Sequence, residues 1–301
     1  MKKIDRIVHI FLDKLIIIVL FNINLPISKV IYTGFKNKLL IRKRRDMLRS
    51  FNKNIVYRIL IVITLVAISL TYSIIKNDKS IVEVFYYRKE LPIYSVDTEE
   101  KKIALTFDAA WGDDYTLGIL DILDKYDVKA SFFLVGFWVD KYPDHVKEIH
   151  KRGHDVGNHS SNHPYMTKLS DEEALREIEI TSEKIEKLIG IKPNLFRPPF
   201  GDYDERIVRL CRENGYYIIQ WDVDSLDWKE LGVQPVVDRV TRNVQNGSIV
   251  LFHNNAKYIL EYLPIIIERL KEEGYELVPL SELIYKDNFY IDNTGRQRLN
   301  K

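Results

Sequence analysis

The chain has 301 residues, of which 46% are hydrophobic and 29% charged, a composition typical of folded protein rather than of disordered or fibrous chains. The single cysteine, Cys211, excludes an intrachain disulfide and any metal site built from several cysteines. The net charge is +2, but the charges are unevenly distributed along the chain. Residues 1–80 hold 16 Lys+Arg and 4 Asp+Glu, whereas the remaining residues hold 29 Lys+Arg and 39 Asp+Glu. No aromatic-rich basic module accompanies the positive part, so we expect no nucleic-acid partner.

A run of seventeen uncharged residues, Ile59–Ile75, predicts a transmembrane helix over residues 56–76. The basic cluster before it predicts a cytoplasmic N-terminus, so a single-pass anchor would place everything after residue 76 outside the cell membrane. If Ile59–Ile75 were instead a buried core helix, the basic cluster before it would have no explanation. A cleaved signal peptide is the other alternative, but no small-residue cleavage site follows the run.

Residues 1–55 are predicted to form a basic cytoplasmic segment. Within residues 10–31, the apolar run Leu15–Leu25 is short for a membrane span. It is consistent with an interfacial helix, with half of a hairpin, or with a start site placed too far upstream. Residues 77–100 are expected to be a linker.

From residue 101 the hydrophobic period switches repeatedly between strand and helix. The pattern predicts strands at 102–107, 130–135, 154–157, 194–197, 216–221, 248–252 and 276–278, and helices at 115–126, 143–152, 170–188, 205–214, 234–245 and 260–273. This alternation indicates a folded domain over 101–285, an irregular (β/α) barrel of about seven parallel strands. A doubly wound sheet is the alternative, and residues 286–301 are predicted to be a frayed polar tail.

Ionisable residues follow the predicted strands at the carboxyl ends, where such folds carry their chemistry. In chain order they are Asp108, His159, His163, Arg197, Asp224, Asp227 and His253. Two histidines four residues apart can bind one metal ion from one turn of chain, and Pro164 favours a single turn or loop over a full helix.

Each of the other candidates has a purely structural alternative. Asp108 ends an apolar strand and suits either a polar cleft or a helix N-cap. Arg197, in the string Arg-Pro-Pro-Phe-Gly, could hold that carboxylate or belong to a surface turn. His253 suits an acid or base near neutral pH, or a hydrogen-bonded structural histidine.

Together these residues resemble the polysaccharide deacetylases of carbohydrate esterase family four, which carry the NodB homology domain. Five family motifs occur in order over residues 101–285: Thr106–Asp108, His159–His163, Arg197–Gly201, Asp224–Trp228 and Leu251–His253. The string Thr-Phe-Asp-Ala-Ala-Trp-Gly further resembles a subgroup of deacetylases associated with sporulation.

The resemblance implies a hydrolase of non-peptide carbon–nitrogen bonds, which removes N-acetyl groups from an amino-sugar polymer such as peptidoglycan or a chitin-like glycan. It implies that His159 and His163 hold a divalent metal ion, zinc or cobalt, and that Asp108 is the general base. The implied general acid is His253, oriented by Asp227 or Asp224. Arg197 would steady Asp108, a backbone N–H at Phe200 would meet the oxyanion, and Trp228 and Leu251 would shape the acetyl pocket.

One position departs from the family pattern. The resemblance implies an aspartate as third metal ligand directly after Asp108, where this chain has Ala109. Asp113 or Asp114 could replace it, water could fill the position, or no metal ion would bind. A non-catalytic glycan-binding protein on the same fold is therefore the alternative function. Another metal amidohydrolase fits the order of the motifs less well.

Overall fold

The computed structural model of the protein describes residues 55–72 and 90–300. The first range is one helix, α1 (Ile55–Tyr72), whose eighteen residues are long and apolar enough to cross a membrane. Its side chains are almost all exposed. The predicted basic segment and interfacial helix lie outside the described residues.

The second range is an α/β domain built around a curled half-barrel of seven parallel strands, in the order β6-β5-β4-β3-β2-β8-β7, with β9 added to the start of β2. Its strands are β2 (Lys102–Ala109), β3 (Ser131–Leu134), β4 (Asp155–Asn158), β5 (Leu195–Phe196), β6 (Tyr217–Ile218), β7 (Val223–Asp224), β8 (Ile249–His253) and β9 (Glu276–Leu277). The predicted irregular barrel is therefore confirmed.

Helices cover the outside of this sheet. They are α2 (Thr116–Lys125), α3 (Gly136–Lys141), α4 (Pro143–Lys151), α5 (Asp171–Ile189), α6 (Glu205–Glu213), α7 (Val233–Asn243) and α8 (Ile259–Glu272). The short α9 (Leu280–Leu283) packs instead on the inner face, in the apolar cluster that contains Ala104 and Phe133. The capping box that begins α5 is present, because Ser170 and Glu173 each accept a hydrogen bond from the other's backbone N–H. Sequence periodicity missed α3 and α9, which are too short to show a helical repeat.

Side chains of β2 alternate between the two faces of the sheet, as a pleated strand requires. Phe107 points toward the helices and stacks between Phe132 and Phe252, with ring centroids 4.9 and 5.6 Å apart. Ala104 faces the inside of the half-barrel, together with Phe133 from the neighbouring strand. Asp108 continues the inward series, so the strand itself aims this carboxylate into the half-barrel.

An extended segment of residues 91–97 crosses the sheet's open side and contains β1 (Ser95–Val96). The N–H of Ile93 donates to the Ile218 carbonyl beside β6, and the N–H of Val96 donates to the Gly247 carbonyl before β8. Part of the stretch predicted as a linker is thus fixed in the domain.

The frayed tail predicted for residues 286–301 is wrong. Residues 289–299 form a hairpin of β10 (Phe289–Ile291) and β11 (Arg296–Leu299), which pairs with β1 in a separate three-stranded sheet. Arg298 binds Asp292 and Asp97, and Gln297 is buried against the backbone of Tyr285. Two of the charges that suggested a solvated tail, Arg298 and Asp292, are thus paired with each other, and Arg298 also pairs with Asp97.

We expect Gly247→Ala to destabilise the domain by about 3 kcal/mol or more, because Gly247 has a φ of +80° and an added Cβ would lie 1.8 Å from the Val96 carbonyl oxygen. Gly215→Ala is the matched control, with a φ of +81° and no atom within 4 Å of the added Cβ. Urea unfolding of the full chain in detergent measures both. Equal losses would contradict the close approach of residues 91–97.

Candidate active site

A cleft of about 630 Å³ opens at the carboxyl ends of the parallel strands. Every residue that the sequence predicted for the site lines this cleft, except Arg197, which lies buried behind it. Strand register explains the convergence, because Asp108 on β2 is the direct partner of His253 on β8, and Asp224 on β7 is the partner of Leu251. Residues about 30 to 145 positions apart are thereby brought to one edge.

Asp108 and Arg197 form a buried ion pair, with Arg197 Nη1 donating to Asp108 Oδ1 at 2.7 Å. The guanidinium is fully buried against the Phe133 ring, and its Nη2 donates a hydrogen bond to the Gln220 carbonyl at 3.1 Å. Burial alone would raise the pKa of Asp108, but the charge of Arg197 lowers it below its ordinary value. Asp108 is therefore ionised, and it caps no helix.

His159 and His163 lie on one loop, with their rings 5.0 Å apart. The Nδ1–H of His159 donates to the Arg197 carbonyl at 2.7 Å, which leaves the lone pair on Nε2, 3.5 Å from Asp108 Oδ2. Nδ1 of His163 is buried without a hydrogen-bond partner. Burial lowers the pKa of both rings, that of His163 to about 4, so both are neutral at pH 7 and able to bind a metal ion.

These two imidazoles fit a divalent metal ion, but they do not complete a site. No group of three His, Cys, Asp or Glu side chains that could hold a metal ion occurs within residues 55–72 and 90–300. Ala109 is buried in the apolar cluster that faces the helices. Asp113 lies 3.3 Å from His145 Nδ1 and does not line the cleft.

The loop that carries both histidines is fixed by residues that sequence analysis missed. Glu177 on α5 accepts hydrogen bonds from the N–H groups of Ser161 and Asn162 at 3.0 and 2.8 Å. His163 itself has a φ of +56°, a conformation that non-glycine residues rarely adopt. The predicted loop before Pro164 is confirmed, but the sequence carries no local signal that Glu177, 15 residues after Asn162, holds it.

His253 is oriented by Asp227 and not by Asp224, which settles the two alternatives left by the sequence. Asp227 Oδ1 accepts from His253 Nδ1 at 2.7 Å, while Asp224 Oδ1 accepts from the N–H of Leu226 at 2.9 Å. Burial opposes a charge on His253, yet the bond to Asp227 and the charge of that carboxylate raise its pKa above the ordinary value. His253 therefore retains a proton at higher pH than an isolated imidazole.

Aromatic side chains surround the mouth of the cleft. Trp111, Phe200 and Trp228 are each more than half exposed, which is unusual for side chains of this size. Phe200 stacks on Tyr165 with ring centroids 4.5 Å apart, and Trp111 meets the edge of the His163 ring. Trp111 and Tyr165 were not predicted from the sequence. Exposed aromatic groups beside a polar cleft indicate a ligand-binding surface.

A polysaccharide deacetylase family model matches residues 95–219. A peptidoglycan-N-acetylglucosamine deacetylase of Bacillus cereus is 37% identical over 207 residues, which cover 65% of this chain and 97% of that protein. The chain belongs to the polysaccharide deacetylase family. Deacetylases of this family are hydrolases of carbon–nitrogen bonds and generally depend on a metal ion.

Two further relatives differ in what they are said to do. The peptidoglycan-N-acetylmuramic acid deacetylase PdaC of Bacillus subtilis is 38% identical over 209 residues, 69% of this chain and 44% of PdaC. A third relative is 36% identical, and the chain spans 60% of the length of that protein. The crystal structure of BA3943 from Bacillus anthracis, described as a CE4 family pseudoenzyme, superposes with a TM-score of 0.63 at 34% identity, covering 70% of this chain and 74% of that one.

We expect Arg197→Met to destabilise the protein by about 3–5 kcal/mol, because it leaves the buried Asp108 carboxylate without its countercharge. Adding Asp108→Asn should recover part of this loss. The control Arg242→Met removes an exposed pair with Asp238 and should cost about 0.5 kcal/mol or less. Chemical denaturation of the four proteins measures these differences, and an Arg197→Met loss no larger than that of Arg242→Met would contradict the buried pair.

Proposed function

We propose that the protein is a membrane-anchored, extracytoplasmic deacetylase that hydrolyses N-acetyl groups of peptidoglycan or a related amino-sugar polymer. The observation that carries the proposal is the pairing of an ionised Asp108 with a proton-bearing His253 across adjacent strands of one cleft. A hydrolysis needs one group to accept a proton from water and another to give a proton to the leaving amine.

In the proposed reaction, Asp108 takes a proton from water while the water oxygen attacks the acetyl carbonyl carbon. His253 then gives its proton to the amide nitrogen as the carbon–nitrogen bond breaks, which releases acetate and leaves a free amine on the sugar. Arg197 keeps Asp108 ionised and in place. Asp227 holds the His253 ring so that Nε2 is the atom able to donate. A backbone N–H at Phe200 would meet the oxyanion.

His159 and His163 would hold the metal ion, zinc or cobalt. When bound, such an ion supplies Lewis-acid polarisation of the amide carbonyl and makes water more acidic. The hydrogen bond from His159 Nδ1–H to the Arg197 carbonyl supports this role, because it fixes the ring and directs Nε2 into the cleft. With two protein ligands, we expect metal affinity to be weaker than a three-ligand site gives.

The shape and surface of the cleft support a glycan substrate. Sugar rings present an apolar face that packs on aromatic side chains, and Phe200 and Trp228 offer such faces beside the reacting groups. Leu251, buried in the middle of β8, and Trp228 would bound the acetyl pocket. The names of the deacetylases similar to this chain support peptidoglycan as the polymer.

The proposed location follows from the apolar helix Ile55–Tyr72 and the basic cluster that precedes it. A positive flank stays in the cytoplasm, so residues after the helix would face the cell wall. A role in sporulation rests on the string Thr-Phe-Asp-Ala-Ala-Trp-Gly and belongs to the same proposal.

A second candidate is a non-catalytic glycan-binding protein on this fold. Two observations favour it: Ala109 at the position of the implied third ligand, and the similarity to a CE4 family pseudoenzyme. A variant of that pseudoenzyme, 38% identical to this chain, is described as having restored enzymatic activity. Against this candidate, a binding protein has no chemical need for the buried Asp108–Arg197 pair beside a polarised His253.

We expect the full chain in detergent, supplied with Zn²⁺, to release acetate from purified peptidoglycan or from chitin oligomers. Asp108→Asn should lower the rate by at least about a hundredfold, because the amide cannot accept the proton. The matched control is Asp155→Asn at the start of β4, where the carboxylate binds Ser131 and the N–H of Ser281 far from the cleft. Absence of release from both substrates by folded protein would favour the binding-protein alternative.

We expect Zn²⁺ to raise the melting temperature of Ala109→Asp more than that of the wild-type chain. Without metal, the new carboxylate would be buried and unpaired among apolar side chains, and a bound cation would offset that cost. Ala109→Asn is the control of equal size without the charge. If Zn²⁺ stabilises all three proteins equally, position 109 does not contribute to a metal site.

A further inference from the structure

Tyr262 is a buried tyrosine whose hydroxyl reaches the site from the outer helix α8. It donates to Asp227 Oδ2 at 2.9 Å, on the side of the carboxylate opposite to the imidazole. Its side chain is almost completely buried, and its ring stacks on Phe252 of β8 with centroids 5.9 Å apart. None of the five sequence motifs contains it, and the proposed reaction does not use it.

The Asp227 carboxylate accepts three hydrogen bonds. Oδ1 accepts from His253 Nδ1 at 2.7 Å, and Oδ2 accepts from the backbone N–H of His253 at 2.8 Å as well as from Tyr262. The backbone N–H of His253 therefore also orients the carboxylate, besides the phenol. What the phenol changes is the charge that the carboxylate presents to the imidazole, because donors to one carboxylate compete for the same negative charge.

We propose that Tyr262 is a positioning residue that limits the basicity of the Asp227–His253 pair, so that His253 is a stronger acid toward the leaving amine. The role of Tyr262 in catalysis rests on the proposed function. Its effect on the proton affinity of the His253 imidazole does not, and can be tested separately. The phenol stabilises the ionised carboxylate most when His253 is neutral, and it thereby favours loss of the His253 proton. Burial and the adjacent carboxylate raise the pKa of Tyr262, so the hydroxyl keeps its proton and remains a donor.

Other charges also face His253 and must be held constant in a test. They are Asp108 on β2, paired with Arg197 directly after β5; Asp224 on β7; His159 and His163 on the loop after β4; and Glu230 and Lys257 at the mouth of the cleft. Tyr262→Phe changes none of these groups and keeps the ring that packs on Phe252. It removes one hydroxyl, so any change in the titration of His253 reports on that hydrogen bond.

The test is a titration of His253 by NMR in the full chain in detergent, labelled at histidine, with the signal assigned by its loss in His253→Gln. We expect Tyr262→Phe to raise the pKa of His253 by at least about 0.5 unit. Asp227→Asn should lower it, because the neutral amide no longer stabilises the imidazolium. The matched control Tyr216→Phe removes a buried hydroxyl bonded to Ser182, and because neither residue lines the cleft it should leave the pKa of His253 unchanged.

Kinetics give a second readout. If the chain releases acetate, the falling limb of kcat/KM against pH should move to higher pH in Tyr262→Phe by the same amount as the titration, and stay in place in Tyr216→Phe. No shift of the His253 titration in Tyr262→Phe, or a downward shift, overturns the inference. A wild-type chain without activity would refute the proposed function and leave the titration to decide the role of Tyr262.

Discussion

The site depends on one buried ion pair, that of Asp108 and Arg197. Both groups are buried, so each is stable there only because the other is present, and removal of either leaves an uncompensated charge in the half-barrel. Arg197 also connects the pair to the loop of His159 and His163, because its backbone carbonyl accepts the Nδ1–H of His159. The arrangement thus fixes the ionisation of Asp108 and the direction of one imidazole together.

A second set of contacts on the other side of the cleft holds His253. Asp227, His253 and Tyr262 come from a turn, a strand and an outer helix, and the carboxylate between them has no contact with solvent. The two sets face each other because β2 and β8 pair in register, with Asp108 beside His253. The two central parallel strands, β2 and β8, therefore place an ionised carboxylate, that of Asp108, beside an imidazole that retains its proton, that of His253.

Sequence alone predicted the strand–helix alternation, an irregular barrel of about seven parallel strands and the placement of its polar residues at strand ends, because hydrophobic period and strand ends are local properties. It did not predict Glu177 or Tyr262, whose partners lie 15 and 35 positions away and on other elements. Nor did it predict the hairpin of residues 289–299, where polar composition suggested solvent but pairing with Asp97 and Asp292 decided the structure. These contacts depend on tertiary packing and leave no period in the chain.

The most direct measurement compares acetate release from peptidoglycan by the wild-type chain and by Ala109→Asp as the Zn²⁺ concentration is raised. Our account predicts that both proteins reach activity at high Zn²⁺ and that the wild-type chain needs more, because its catalytic groups are intact and only a ligand is missing. A wild-type chain that stays inactive at every Zn²⁺ concentration, while Ala109→Asp becomes active, would contradict the account and identify the natural protein as a non-catalytic member of the family.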